Sequence, residues 1–385
     1  MSAFSLILAL LASQAVPGRV PLPEAHSSKH YEMKTSATKE EAQELLDFME
    51  LVHQTYTALL KPENPQELDK KRFTIHLYKD MEEYVKAGAP PGSGAYYDPN
   101  TKLLVGWYDT TFMKPFFAHE GMHQFTDATS KNFFNFNMWF TEGIADCIGN
   151  CEVRGKKLYM CVKSGMIARM RLPTIQEAIR RGVTPPLGRL MALDKNVFMR
   201  NAELCYAMSW SFCHFLITFP KDEDRGAQIP DGKFRKNLAG YYELVRAGGT
   251  SHERAWGEAF KGIPMEELEE AWKKYVMGLD AGKRLGINGH ELSEEEFPRL
   301  GAGIDAGYTG ILIDETAPDY PAAKGGIEKG DVLIKFDGKR FPRHDAMNRL
   351  RVWMQDVPYG RPVKVVVLRG GKEVECSCKW DTPKK

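Results

Sequence analysis

No sign of charge prevails in this chain of 385 residues: 52 Lys and Arg stand against 51 Asp and Glu, a formal net charge of +1 at neutral pH. That balance removes the long-range attraction of nucleic acids and anionic membranes for basic proteins, so no nucleic-acid partner is expected and recognition must come from local groups. Long hydrophobic runs are also missing. The most apolar stretch, Ala3–Ala12, has ten residues, about half of what a membrane-spanning helix needs, so no stable membrane span is expected. Cysteine is sparse: seven residues, an odd number. Cys147 and Cys151 lie one helical turn apart and Cys376 and Cys378 share one face of a strand, and neither pair has the second half of a metal knuckle. They read as small buried hydrophobes rather than as a disulfide scaffold. No repeat of fixed period and no low-complexity tract occurs, which excludes solenoid, fibrous and largely disordered classes. What is left is a globular chain long enough for two or three domains.

The N-terminus reads as an address. The apolar run is followed by Ser13-Gln14-Ala15, with small residues three and one before a cleavage point, so residues 1–15 are expected to be a secretory signal peptide and the protein to be exported to the periplasm or the exterior. No Lys or Arg precedes the run, which leaves the free amine as the only positive charge there; an uncleaved anchor is the competing reading. Residues 16–37 lack periodicity and read as a flexible lead. Lys39–Leu60 places Ala42, Leu45, Leu46, Met49, Val52 and Tyr56 at three- and four-residue spacings, the pattern of an amphipathic helix. Arg72–Lys79 alternates as a strand. Ala95–Tyr97 and Leu103–Trp107 flank Asp98-Pro99-Asn100-Thr101, which has hairpin turn chemistry. Helices are then expected at Thr111–Thr126, Phe140–Ile148, Ile175–Arg181, Ala202–Phe219 and Pro264–Leu279. Residues 282–296 read as a polar linker, after which short β-rich runs separated by glycine begin.

The chemistry concentrates in His119-Glu120-Gly121-Met122-His123, inside a segment expected to be helical. Two histidines four residues apart on a helix are separated by one turn and about 40°, so both rings can meet one metal ion. Glu120 sits beside that face, within reach of a water at the same ion. Eighteen residues separate His123 from Glu142, in Trp139-Phe140-Thr141-Glu142-Gly143-Ile144-Ala145-Asp146 on a second expected helix. That is room for a loop and an antiparallel return, which makes Glu142 the third ligand and leaves a fourth position for water. Asp146, one turn further, suits acceptance of the other ring N–H of a ligand histidine, His119 first.

These residues resemble the gluzincin clan of zinc metallopeptidases, which includes the thermolysin and aminopeptidase N families. The Trp-Phe-Thr-Glu-Gly phrase is most similar to its aminopeptidase N-like, glycyl aminopeptidase and bacterial secreted branches. The resemblance covers residues 38–281 in layout and about 30 residues in specific motif. It implies an α+β zincin-type domain, a small mixed sheet followed by a mainly helical half, with one Zn²⁺ held by His119, His123 and Glu142 and with Glu120 as general base. It also implies an oxyanion donor, for which Tyr206-Ala-Met-Ser209 matches the context; a core aromatic and a substrate contact are the other readings of Tyr206. The Gly-x-Met-Glu-Asn motif that holds a free amine in true aminopeptidases is absent. Gly94, Ala95 and Tyr96 stand in its place on an expected edge strand, where an extended peptide can pair by backbone hydrogen bonds. This favours endopeptidase over aminopeptidase action, while a purely structural edge is the competing reading.

Residues 297–381 carry Ala322-Ala-Lys-Gly-Gly-Ile-x-x-Gly-Asp-Val-Leu-Ile334 and Asp337-Gly-Lys339, which resemble a bacterial PDZ domain, a small β-rich fold. Leu300-Gly301-Ala302-Gly303 matches in position the loop that holds a peptide carboxylate. The resemblance implies recruitment of a C-terminal peptide, beside a bracing domain with no ligand. Two functional classes follow, beside a zinc hydrolase of another bond, since the site activates water without dictating what it attacks. The first is a secreted zinc-dependent peptidase acting on peptides or proteins; the second is a catalytically silent scaffold whose PDZ domain binds peptides.

Overall fold

In a computed structural model of the chain, the described residues are 20–61, 68–90, 93–162, 165–220, 227–280, 282–293, 295–300, 309–343 and 346–381. The expected signal peptide lies outside them. The chain divides into two compact units, one ending at Leu279 and the other running from Asp280.

The first unit opens with a five-stranded mixed sheet. Its strands are β1 (Glu24–Ser27), β2 (Tyr31–Thr35), β3 (Phe73–Tyr78), β4 (Ala95–Asp98) and β5 (Leu103–Trp107), in the order β1-β2-β3-β5-β4. β2, β3 and β5 run parallel, whereas β1 and β4 pair antiparallel to their neighbours. Two of these strands correct the reading of residues 16–37 as a flexible lead. Tyr31, Met33 and Thr35 are buried while Glu32 and Lys34 are exposed, a period of two in only five residues, and parallel pairing with β3 secures it.

Helix α1 (Lys39–Leu60) covers one face of the sheet. It starts in a capping box, in which Thr38 Oγ1 accepts from the Glu41 amide and the Glu41 carboxylate accepts from the Thr38 amide. The short α2 (Met81–Lys86) follows β3. After the sheet the unit is helical: α3 (Met113–Thr129), α4 (Met138–Gly149), then a small hairpin β6 (Glu152–Arg154) and β7 (Lys157–Tyr159), α5 (Met166–Arg180), α6 (Leu187–Met191), α7 (Lys195–Arg200), α8 (Ala202–Thr218), α9 (Arg235–Arg246), α10 (His252–Ala259) and α11 (Met265–Gly278). α4 packs along α3 and α8, and α5 packs along α8. The α5 helix begins nine residues before the expected Ile175, because Pro173 sits inside it and masks a helix that packing nevertheless holds.

The second unit is an antiparallel six-stranded sheet with one main helix. Its strands are β8 (Ile287–Glu291), β9 (Ile311–Thr316), β10 (Val332–Phe336), β11 (Lys339–Arg340), β12 (Pro362–Arg369) and β13 (Lys372–Lys379), with α12 (Pro321–Lys324) and α13 (Ala346–Asp356). The expected linker 282–296 is therefore corrected. Its Ile287-Asn-Gly-His-Glu291 stretch is polar, yet it pairs with β9 through backbone bonds while the flanking Leu285 and Leu292 are buried. Asp331, buried, accepts from Nε and Nη2 of Arg369, both at 2.7 Å, which locks the turn before β10 onto the end of β12.

A buried imidazole makes the first unit sensitive to acid. His53 of α1 stacks on His30 at 3.9 Å with the rings nearly parallel, and burial, then the His30 charge, lowers its pKa from 6.5 to about 4 despite the nearby Glu50 and Asp69. Between those values the unfolded chain binds a proton that the folded one refuses, so stability falls as pH drops from about 6.5 towards 4. Urea unfolding at pH 7 and pH 5 should show wild type losing on the order of 1–2 kcal/mol more than His53→Leu over that interval. An equal loss in both proteins contradicts the assignment.

Candidate metal centre

The turn that leads into helix α3 is held by Asp109, whose Oδ1 accepts from the amides of Thr111 at 2.8 Å and Phe112 at 2.7 Å. The helix passes under the sheet, and Gly121 within it allows a close approach: a Cβ there would lie 2.7 Å from Tyr56 Oη and 2.8 Å from Met49 Cε of α1. Tyr56 Oη in turn donates to the Ala118 carbonyl at 2.5 Å. Helix α4 is brought equally close to α8 by Gly143, where a Cβ would stand 2.5 Å from the Ser209 carbonyl oxygen. Both glycines sit next to a candidate ligand or within the five-residue motif.

The two helices bring His119, His123 and Glu142 together. All three are buried. His119 Nε2 lies 3.2 Å from His123 Nε2 and 3.2 Å from Glu142 Oε2, and His123 Nε2 lies 3.6 Å from that same oxygen. Two nitrogens each about 2.0–2.1 Å from one tetrahedral ion are roughly 3.3–3.4 Å apart, so this triangle has the size of one face of a zinc coordination sphere. The donor set, two imidazoles and a carboxylate, is also that of open catalytic zinc sites. Glu142 Oε1 is buried with no hydrogen-bond partner. His119, Glu120 and His123 alone offer three ligand atoms within 4.8 Å of one another.

The electrostatics of the triangle are those of closely held opposite charges. Burial penalises charged Glu142, but His123 and His119 outweigh it and lower the carboxyl to about 2. Burial likewise disfavours charged His119, but Asp146 and Glu142 raise the ring to about 10. Glu120 goes the other way: burial raises its pKa, with the two histidines opposing.

Around the triangle, Glu120 Oε2 accepts from the backbone N–H of Tyr97 at 2.9 Å. That amide belongs to β4, an edge strand of the sheet. Asp146 Oδ1 stands 2.8 Å from His119 Nδ1, a close contact that falls short of an in-line hydrogen bond, while its Oδ2 accepts from Arg171 Nε at 3.0 Å. Tyr206 is fully buried in α8, its ring under the Arg171 guanidinium at 4.7 Å and edge-on to Phe198. Burial, then the charge of Glu142, pushes its phenol well above 10.

The expected substrate residues divide. Ala95 is buried on the α3 side of β4, and Gly94 has no room for a Cβ because the Phe116 ring fills that space at 2.0 Å. Tyr96 points to the other face of the sheet, among Tyr84 and Val105, so its side chain is removed from the metal triangle; the alternation of the strand requires it. Tyr97, one step along, faces α3 instead. Its hydroxyl bonds Asp127 of α3, whose carboxylate also meets Lys102 Nζ at 2.7 Å. In the second unit Gly301, Ala302 and Gly303 lie outside the described residues, and Leu300 ends a 3₁₀ turn that starts at Phe297.

Sequence reasoning passed over Tyr97 and Arg171. Strand parity was available for Tyr97, since its register with Leu104 puts it on the helix side. For Arg171 the signal is an arginine within the apolar stripe Ile167, Ala168, Met170, Leu172 and Ile175.

Residues 284–379 match the family model for the PDZ domain, and the C-terminal unit is a PDZ domain. A probable periplasmic serine endoprotease, DegP-like, of Rickettsia prowazekii is 36% identical over 96 residues, 25% of this chain and 18% of that protein. The chain thus spans about a fifth of that relative, and the match falls in the PDZ region. Among solved structures, the HtrA-type protease AlgW with a decapeptide overlaps 32% of this chain and 37% of its own at 26% identity and a TM-score of 0.23. An aminopeptidase N family protein from Idiomarina loihiensis overlaps 94% of this chain and 67% of its own at 12% identity and a TM-score of 0.34. Among the described residues no helix is long and apolar enough to cross a membrane.

The contact between α4 and α8 is testable at Gly143. Gly143→Ala should lower the urea midpoint of the first unit by the equivalent of about 1–3 kcal/mol, with the slope of the transition retained. An unchanged midpoint would show that the helices separate without cost.

Proposed function

We propose that this chain is an exported zinc-dependent peptidase, of the zincin type in its first unit, whose PDZ domain recruits peptide tails. One observation carries the reading: three buried ligand atoms converge in a triangle of 3.2, 3.2 and 3.6 Å, with the Glu120 carboxylate held beside it by an edge-strand amide. His119, His123 and Glu142 would hold one Zn²⁺. The ion, when bound, supplies Lewis-acid polarisation and lowers the pKa of a coordinated water.

The chain's own residues do the rest. Glu120, buried and poised at Oε2 by Tyr97, accepts the proton of the attacking water and returns it to the leaving amine, the general-base and general-acid roles of one carboxylate. Tyr206 donates its hydroxyl to the oxygen that gains charge at the scissile carbonyl. Asp146 holds His119 from behind. The substrate lies extended along β4, pairing with the backbone of Gly94, Ala95 and Tyr96; the lack of a Gly-x-Met-Glu-Asn motif in the sequence favours internal bonds over amino-terminal ones. The serine-protease relatives share the PDZ domain, which supports a peptide-binding, protease-associated role, and the periplasmic location in the Rickettsia protein's name supports export.

Glu120→Gln removes the proton acceptor and leaves the three ligands in place. It should retain one zinc per chain and lose at least 100-fold in cleavage of unfolded casein, while a chelator abolishes wild-type cleavage and added zinc restores it. Wild-type turnover by the variant, or cleavage indifferent to the chelator, contradicts the reading.

A further inference from the structure

Arg171 is a buried cation from an element that supplies no ligand. It is 5% exposed, and it touches two groups of the site at once: its Nε donates to Asp146 Oδ2 at 3.0 Å, and its guanidinium lies 4.7 Å from the centre of the Tyr206 ring. A charge so far from water is held only where partners compensate for its lost hydration. Asp146 is one partner, the face of Tyr206 the other.

The position of Arg171 is set by anchors at both ends of α5. At the front, the Asn150 side chain, from the residue after α4, accepts from the Ala168 amide at 3.1 Å and donates to the Val162 carbonyl. Towards the rear, Gln176 Nε2 donates to the carbonyls of Val276 at 3.0 Å and Leu279 at 2.8 Å, at the end of α11. The helix therefore cannot slide along α8 without losing buried hydrogen bonds on both sides.

We propose that Arg171 is a positioning residue for the metal centre, acting through Asp146 on the ligand ring of His119. An aspartate carboxylate turns about its last bond unless both oxygens are engaged. Arg171 takes Oδ2, which leaves Oδ1 beside His119 Nδ1 at 2.8 Å, short of an in-line hydrogen bond but near enough to hold the ring by charge. The ring is thereby turned so that Nε2 faces His123 and Glu142. Groups that orient a ligand in this way are worth about 10–100-fold in metal affinity. The inference rests on the metal site proposed above and concerns metal binding rather than turnover.

The test is a double-mutant cycle in zinc affinity, read on the full-length protein stripped of metal by competition with a chromogenic chelator. Arg171→Met should bind zinc about 10–100-fold more weakly, and Asp146→Asn should lose a comparable factor. Because Arg171 acts through Asp146, the double variant should bind no more weakly than Asp146→Asn alone. Losses that multiply in the double variant overturn the proposal, as does wild-type affinity in Arg171→Met. Should Arg171→Met fail to fold, Arg171→Lys enters the same cycle, where a loss present only with Asp146 intact supports the proposal and an equal loss in both backgrounds overturns it. If wild type itself binds no zinc, the metal reading fails first and is recognised as such.

Discussion

A carboxylate with no access to water, held between two imidazoles, is the constraint around which the first unit is arranged. Glu142 is 0% exposed and carries one buried oxygen without a hydrogen-bond partner. Burying such a charge costs several kcal/mol unless opposite charge or a cation meets it. His119 and His123 meet it from a different helix, and the close packing of α3 and α4 keeps them there. A shift of one helix along the other by one residue, about 1.5 Å, would destroy the triangle.

The remaining structure prevents that shift. Gly121 and Gly143 remove side chains where helices must touch, and Tyr56 ties α1 to α3 through the Ala118 carbonyl. The edge strand is fixed to α3 twice through one residue, by the Tyr97 amide on Glu120 and the Tyr97 hydroxyl on Asp127. On the function proposed, the strand whose edge would pair a peptide also sets the carboxylate that would act on it. Behind the triangle, Asp146 and Arg171 add a buried ion pair that has no role in a plain hydrophobic core.

Much of this was legible in the chain. The four-residue spacing of His119 and His123 and the eighteen residues to Glu142 are local facts that helical geometry turns into proximity, and α1 announces itself through its apolar period and Thr38-x-x-Glu41. What escaped is what depends on distant pairing. β2 is too short to show a period convincingly without the parallel strand β3 beside it, and β8 is polar because its backbone, not its side chains, holds it in the sheet. Arg171 escaped because a charged residue in a proline-containing segment reads as surface. Only the fold shows that a carboxylate waits for it. The facing of Tyr96 and Tyr97 was not legible, because a strand so short can be located without its parity, and one step along a strand reverses the side chain. The PDZ domain was legible from its glycine-punctuated run, but where it begins was not, since Leu285 and β8 precede that run.

In the site proposed, two imidazoles and one carboxylate from α3 and α4 would hold a single catalytic ion. X-ray absorption at the zinc edge of the purified, zinc-loaded protein tests it most directly. The account predicts one zinc per chain in a shell of nitrogen and oxygen only, at about 2.0–2.2 Å, with the histidine scattering reduced in His123→Ala. Sulfur in the shell at about 2.3 Å, or a shell unchanged by that substitution, would place the metal elsewhere and contradict the account.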